Sequence, residues 1–194
     1  VIYGSGKHLS KYKNLVGMQN WQYTHVQDAS QAQQKNFNLV NCLKGEYFEL
    51  TPGQLDPKAG QLAFDSLERA TQDLKSGKID ALVTAPISKE NIQSESFKFP
   101  GHTEYLAQAF DKKDVLMFMI SEGLRIGVVT GHIPLDKVKK VLSREAIASK
   151  LDLMLHSLKV DFGIAKPKIA VLGLNPHAGE NGLLGDEEKQ VINP

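Results

Sequence analysis

Cysteine is almost missing from the chain: one in 194 residues, Cys42, so no intramolecular disulfide can staple the fold. That residue stands in no Cys/His pattern, which argues against a thiol nucleophile and fits a reducing cytoplasm. Charge of one sign is missing too. The 23 basic and 22 acidic residues leave a net charge of +1, with no basic stripe to follow a phosphate backbone, so nucleic acid is excluded as an expected partner. Long apolar runs are absent. The longest, such as Val115 to Ile120, fall far short of a membrane span, and the first residues show no basic-then-apolar pattern. Internal repeats, low-complexity linkers and a Gly-x-Gly-x-x-Gly dinucleotide fingerprint are all lacking.

What remains is a chain with 41% hydrophobic residues, enough to bury a core in one large domain or parts of two. From Pro57 to Ser76, Leu62, Ala63, Leu67, Ala70 and Leu74 follow helical spacing, and Gly77 stops the helix. Ile79 to Thr84 then reads as a buried strand, and helix plus strand make half of a βαβ crossover. The runs Val115 to Ile120 and Leu124 to Thr130 flank Ser121-Glu122-Gly123, a connection short enough for an antiparallel hairpin. Leu135 to Leu142 and Arg144 to Leu158 read as helices, the second capped by Ser143, and Lys168 to Gly173 as another strand. Residues before Leu50 carry little periodicity and are expected to form loops and short strands. There, Gly4-Ser5-Gly6 reads as a plain turn in preference to a phosphate cradle. The sum is an α/β chain with a mixed sheet.

The chemistry concentrates in four blocks: Val83-Thr84-Ala85-Pro86-Ile87-Ser88-Lys89, Phe99-Pro100-Gly101-His102-Thr103-Glu104, Val129-Thr130-Gly131-His132-Ile133-Pro134, and Gly173-Leu174-Asn175-Pro176-His177-Ala178-Gly179-Glu180. His102 and His132 each follow a glycine at a strand end or turn, with a hydroxyl or carboxylate neighbour that can orient the ring. Thirty residues apart, they match no zinc-finger or zincin spacing. Any ion they share would be held from different elements, as in catalytic sites with open positions. His8, His25 and His156 lack such a context and read as structural, while His177, preceded by proline, reads as loop-shaping or as a substrate contact. Lys89 places an ammonium after a strand end, suited to proton relay or to an anionic group.

These four blocks, in this order, resemble the 4-hydroxythreonine-4-phosphate dehydrogenase family of vitamin B6 biosynthesis. The resemblance runs from Pro52 onward, with a weaker match at Val1 to Ser5, and implies a mixed-sheet fold of the isocitrate/isopropylmalate dehydrogenase kind. It also implies a piece of a longer protein, with a first strand upstream and a third metal-ligating histidine downstream. The domains implied are residues 1–84, part of a first α/β domain, and 85–194, a second domain carrying ligands and a dimer interface. The implied chemistry is oxidation of a phosphorylated substrate's secondary alcohol by hydride transfer to NAD or NADP, then loss of carbon dioxide, assisted by a divalent cation (Zn, Mg or Co). His102 and His132 are the implied metal ligands and Lys89 the catalytic residue. Ser88, Thr103, Asn175 and Glu180 are the substrate contacts, and the residues holding the cofactor are not assigned. A cytoplasmic homodimer with a shared active site is expected, with the 115–130 hairpin and its Met117-Phe118-Met119 run as the candidate contact. Two rival activities stand beside this one: dehydrogenation of a phosphorylated four-carbon sugar acid, and metal-dependent hydrolysis.

Overall fold

A computed structural model describes residues 1–193, which divide into two compact units, Val1–Asp111 and the remainder from Lys112. In the first unit, strands β1 (Ile2–Gly4), β2 (Thr24–Val26) and β3 (Asn38–Asn41) form a parallel sheet in the order β1-β3-β2. Its register pairs Tyr3 with Val40 and His25 with Leu39. Helix α1 (Gly6–Leu15) follows β1, and α2 (Pro57–Lys75) packs over β1.

Local chemistry explains both helices. Ser5 caps α1 by accepting from the His8 amide, and Asp56 caps α2 through the Lys58 amide, with Pro57 at the first turn. The Gly6 amide donates to Asn41 Oδ1 at 3.2 Å and the Ser5 hydroxyl accepts from the His8 amide, so both groups of the Gly4-Ser5-Gly6 corner are spent on the fold, as a plain turn requires. His8 is structural as well. Its Nε2 donates to the Phe48 carbonyl at 2.9 Å, which leaves Nδ1 to accept from the Ser5 hydroxyl at 2.7 Å. Asp73, buried on α2, accepts from the Tyr3 hydroxyl at 2.9 Å and the Ala29 amide at 3.2 Å, with Arg69 and Lys78 alongside. One carboxylate thus braces helix, sheet and loop. Burial, joined by the bond to Asp73, pushes the Tyr3 hydroxyl well above its usual range.

The core of this unit is Phe64, Leu67, Ile92 and Phe97, with Leu82, Ile87, Phe99 and Tyr105 packed against it. Phe97 lies 5.8 Å from Phe64, 5.3 Å from Phe99 and 5.5 Å from Tyr105, ring centre to ring centre. The aromatic cluster draws the chain from Ile87 through Tyr105 onto α2. The compact units part at Asp111/Lys112.

In the second unit, β4 (Phe118–Ser121) and β5 (Leu124–Gly127) form the expected antiparallel hairpin, shorter than the apolar runs that signalled it. Phe162 lies 5.9 Å from Phe118 and under the Arg125 guanidinium at 4.7 Å, while Lys150 donates to the Val115 carbonyl. Helices α4 (Leu135–Val141) and α5 (Arg144–Val160) lie where helical spacing put them, and Ser143 caps α5 through the Ala146 amide. Among the described residues no helix is long and apolar enough to cross a membrane.

Two expected strands are not strands. Neither Ile79–Thr84 nor Lys168–Gly173 joins a ladder, and Val83 and Leu172 are 94% and 83% exposed. A strand is defined by the neighbour that takes up its amides and carbonyls. Among the described residues no strand pairs with either run, so both are irregular chain. The mixture of parallel and antiparallel pairing is present, divided between two sheets.

Candidate functional site

In the first unit, α3 (His102–Ala109) begins at the Gly101-His102 corner, and no side chain caps its first turn. Backbone amides there remain suited to an anion, with Thr103 in the same turn. Lys89 belongs to this corner. A Cβ built on Gly101 would stand 3.8 Å from Lys89 Cε and 3.6 Å from Glu104 Oε2, so the lysine stem crosses the glycine that precedes His102. Ser88 accepts from the Asn91 amide, forming the turn that carries Lys89. His102 is half-buried, and burial lowers its pKa, which favours the neutral imidazole that a metal or a substrate hydroxyl requires.

Gly60 on α2 holds this segment close. An added Cβ would stand 1.9 Å from the Asn91 carbonyl oxygen, so only glycine lets the Ser88–Ile92 turn reach the helix.

The second unit carries His132, His177, Asn175 and Glu180. Its backbone is unusual where the histidines sit. Among the described residues seven non-glycine ones have positive φ, and five of them are His132, His177, Ala178, Glu180 and Asn181. With Gly179 at φ 81°, residues 177–181 make a continuous left-handed turn within Pro176–Gly182. Each non-glycine residue there costs roughly 1 kcal/mol or more. Gly179 is obligatory, since a Cβ would stand 2.2 Å from the Gly185 carbonyl oxygen. Strain of this kind persists only where the surroundings over-determine it, and it gathers at functional sites.

The surroundings here are two buried carboxylates. Glu188, 4% exposed, accepts from the Leu174 amide at 2.7 Å, the Asn175 amide at 2.6 Å and the Asn175 side chain at 2.9 Å. Glu187 accepts the other Asn175 side-chain proton at 2.8 Å and pairs with Lys139 of α4. Charge-assisted bonds of this type are shorter and stronger than neutral ones, and they fix the chain entering the left-handed turn. The Asn175 and Leu174 donors hold Glu188 below the usual carboxylate range; Lys139, with the Glu187 amide and Asn175, holds Glu187 at about 2. Both protons of the Asn175 amide are thereby engaged, and what it can offer a ligand is its carbonyl oxygen.

The structure therefore gathers Lys89, Ser88, His102 and Thr103 in the first unit, and His132, Asn175, His177 and Glu180 on loops of the second. Among the described residues no three His, Cys, Asp or Glu side chains converge as a metal would require. Sequence reasoning missed Gly60 and the clamp role of Glu187 and Glu188; two adjacent acids behind Gly182 and Gly185 were the only signal.

The α/β arrangement is similar to that of solved proteins described as dehydrogenases. The crystal structure of 4-hydroxythreonine-4-phosphate dehydrogenase from Klebsiella pneumoniae superposes with a TM-score of 0.83 at 31% identity, over 98% of this chain and 58% of that one. The 4-hydroxythreonine-4-phosphate dehydrogenase of Bacteroides thetaiotaomicron is 42% identical over 195 residues, all of this chain and 53% of the relative. That of Sulfurihydrogenibium is 38% identical over 194 residues and is covered to 59%. Residues 1–194 match the family described as pyridoxal phosphate biosynthetic protein PdxA, and the chain belongs to that family. It spans just over half the length of these relatives.

Proposed function

We propose that this chain forms part of an NAD-dependent, divalent-metal-assisted dehydrogenase of pyridoxal phosphate biosynthesis. The enzyme oxidises 4-phosphooxy-L-threonine to 2-amino-3-oxo-4-phosphooxybutanoate, which loses carbon dioxide to give 3-amino-2-oxopropyl phosphate. The observation that carries this reading is the family match along all 194 residues, joined to relatives of that printed activity at 38% and 42% identity. Those relatives favour hydroxythreonine phosphate over a sugar-acid phosphate or a hydrolytic substrate.

In this reading the alcohol gives its hydride to NAD and its proton to a base, with Lys89 as the relay. Thr103 and Ser88 hold the substrate beside the open first turn of α3, Asn175 accepts through its carbonyl oxygen, and Glu180 binds a cationic or hydroxyl group. His102 and His132 would hold the divalent cation, which when bound would lower the alcohol's pKa and stabilise the enolate left by decarboxylation. Zn, Mg or Co fits those roles. The active enzyme is a cytoplasmic homodimer, with the 115–130 hairpin as the contact; exposed Met119, Ile120, Leu124 and Ile126 support that surface.

A second assignment of the ligands has its own support. His132 and His177 share a compact unit and a left-handed backbone, at φ 52° and 51°. They form the ligand pair in that version, and His102 at the start of α3 becomes a substrate contact.

The test is reduction of NAD by the intact protein with 4-phosphooxy-L-threonine. Chelation should abolish turnover, and His132→Ala should lower kcat/KM more than about 100-fold, the upper end for losing a residue that only supports a ligand. Co²⁺ affinity separates the assignments: His102→Ala weakens it in the first, His177→Ala in the second. Turnover without a nicotinamide would sink the dehydrogenase reading.

A further inference from the structure

The left-handed turn 177–181 does not hold itself. Four of its five residues carry a Cβ, and its closing bonds run from the Leu184 amide to the Gly179 carbonyl at 3.0 Å and from the Leu183 amide to the Glu180 carbonyl at 3.1 Å. The donors Leu183 and Leu184 are exposed, while Gly179 is buried. The entry to the turn is different. Leu174 and Asn175 are gripped by a carboxylate that is itself buried and has no cation among its hydrogen-bond partners.

A buried carboxylate whose acceptors are filled by three donors of one dipeptide fixes the direction in which the chain leaves that dipeptide. Glu187, next in sequence, carries the same fixation to Lys139 on α4, the helix that begins directly after His132-Ile133-Pro134. The two corners with left-handed histidines are therefore joined through one chain of contacts: Leu174/Asn175, Glu188, Glu187 and Lys139.

We propose that Glu188 is a positioning residue that keeps residues 177–181 left-handed, and that Glu187 and Lys139 lock this turn in register with the His132 corner. Neither carboxylate touches the reacting groups. Their role is to present His177 and Glu180 in the geometry the site uses, a role that rests on the reading of this loop as part of the substrate and metal site.

The test exploits handedness. Glu188→Gln removes the charge and should lower hydrogen-exchange protection of the Leu184 amide, and the affinity for Co²⁺, by about tenfold each, with protection at Ile147 in α5 unchanged. Adding Ala178→Gly to Glu188→Gln relieves the steric cost of a positive φ, so the double variant should recover most of both losses. A residue needed only for packing would not be rescued by a glycine on an exposed loop. Should Glu188→Gln fail to fold, Lys139→Met, at a side chain 75% exposed, cuts only the link to α4 and should weaken Co²⁺ binding about threefold while leaving Leu184 protected. Unchanged Leu184 protection in Glu188→Gln, or a double variant no better than the single, overturns the proposal; so does Lys139→Met binding Co²⁺ as the wild type does. If the wild-type chain takes up no Co²⁺, the metal reading of the loop fails, and exchange at Leu184 alone decides the clamp.

Discussion

The two compact units weigh the same forces differently. Among the described residues, every buried hydrophobic side chain except Ile147 and Leu158 lies in the first unit, which also buries Asp65 and Asp73, while the second buries Glu187 and Glu188 beside only those two apolar residues. The first unit sets its geometry by filling volume: the Lys89 turn sits where it does because Phe97, Ile92 and Gly60 leave it nowhere else. The second sets its geometry by saturating hydrogen bonds. Volume filling is indifferent to pH and unforgiving of shape, whereas a carboxylate clamp is directional and yields to protons.

Trp21, the only tryptophan, lies in the first unit, so its fluorescence reports that unit while circular dichroism reports both. The largest effect should come from Phe97→Ala. Phe97 is fully buried, and its loss should cost about 3–5 kcal/mol, read as an early fluorescence transition in denaturant. Gly60→Ala should follow, at about 1–3 kcal/mol, because the helix and the Asn91 carbonyl cannot both stay in place. It should also lower turnover by displacing Lys89. If Gly60→Ala left stability and turnover intact, volume would not be what places that turn. Ser143→Ala should cost about 1 kcal/mol by uncapping α5, visible by dichroism and silent at Trp21.

The smallest change at neutral pH, and the sharpest contrast, is an acid titration. Glu187 has its folded pKa depressed to about 2 from an ordinary 4.5, so the unfolded chain takes up the proton first as pH falls. Its contribution is complete above about pH 5 and is lost between about 4.5 and 2. The melting-temperature gap between wild type and Glu187→Gln should therefore close over that window. A gap that stayed constant down to pH 2 would show that the carboxylate is not held by Lys139 and Asn175.

How far the sequence foretold this depended on whether the signal was local. Helices α2, α4 and α5 were legible because spacing and caps lie within each segment, and the hairpin because Glu122-Gly123 leaves its strands no other course. Helix α1 was not legible. Gly6 to Leu15 has no apolar stripe, and its anchors are distant: Tyr23 donates to the Gly6 carbonyl and Phe48 accepts from His8. Ile79–Thr84 and Lys168–Gly173 failed in the opposite sense, since apolar content can announce a strand but cannot supply its neighbour. At the candidate site the histidine corners were visible as glycine-flanked motifs. The left-handed backbone of residues 177–181 was not, because the chain entering it is gripped by Glu188, whose partners lie 13 and 14 residues upstream.

The left-handed turn also changes how tolerance to substitution should be read in this loop. Ala178 and Asn181 are exposed, and such positions ordinarily accept almost any side chain. Here a branched Cβ collides with its own peptide before it meets any neighbour, while glycine, asparagine and aspartate fit. The constraint at these two positions is stereochemical before it is chemical, and intolerance to substitution there is no sign of contact with a ligand.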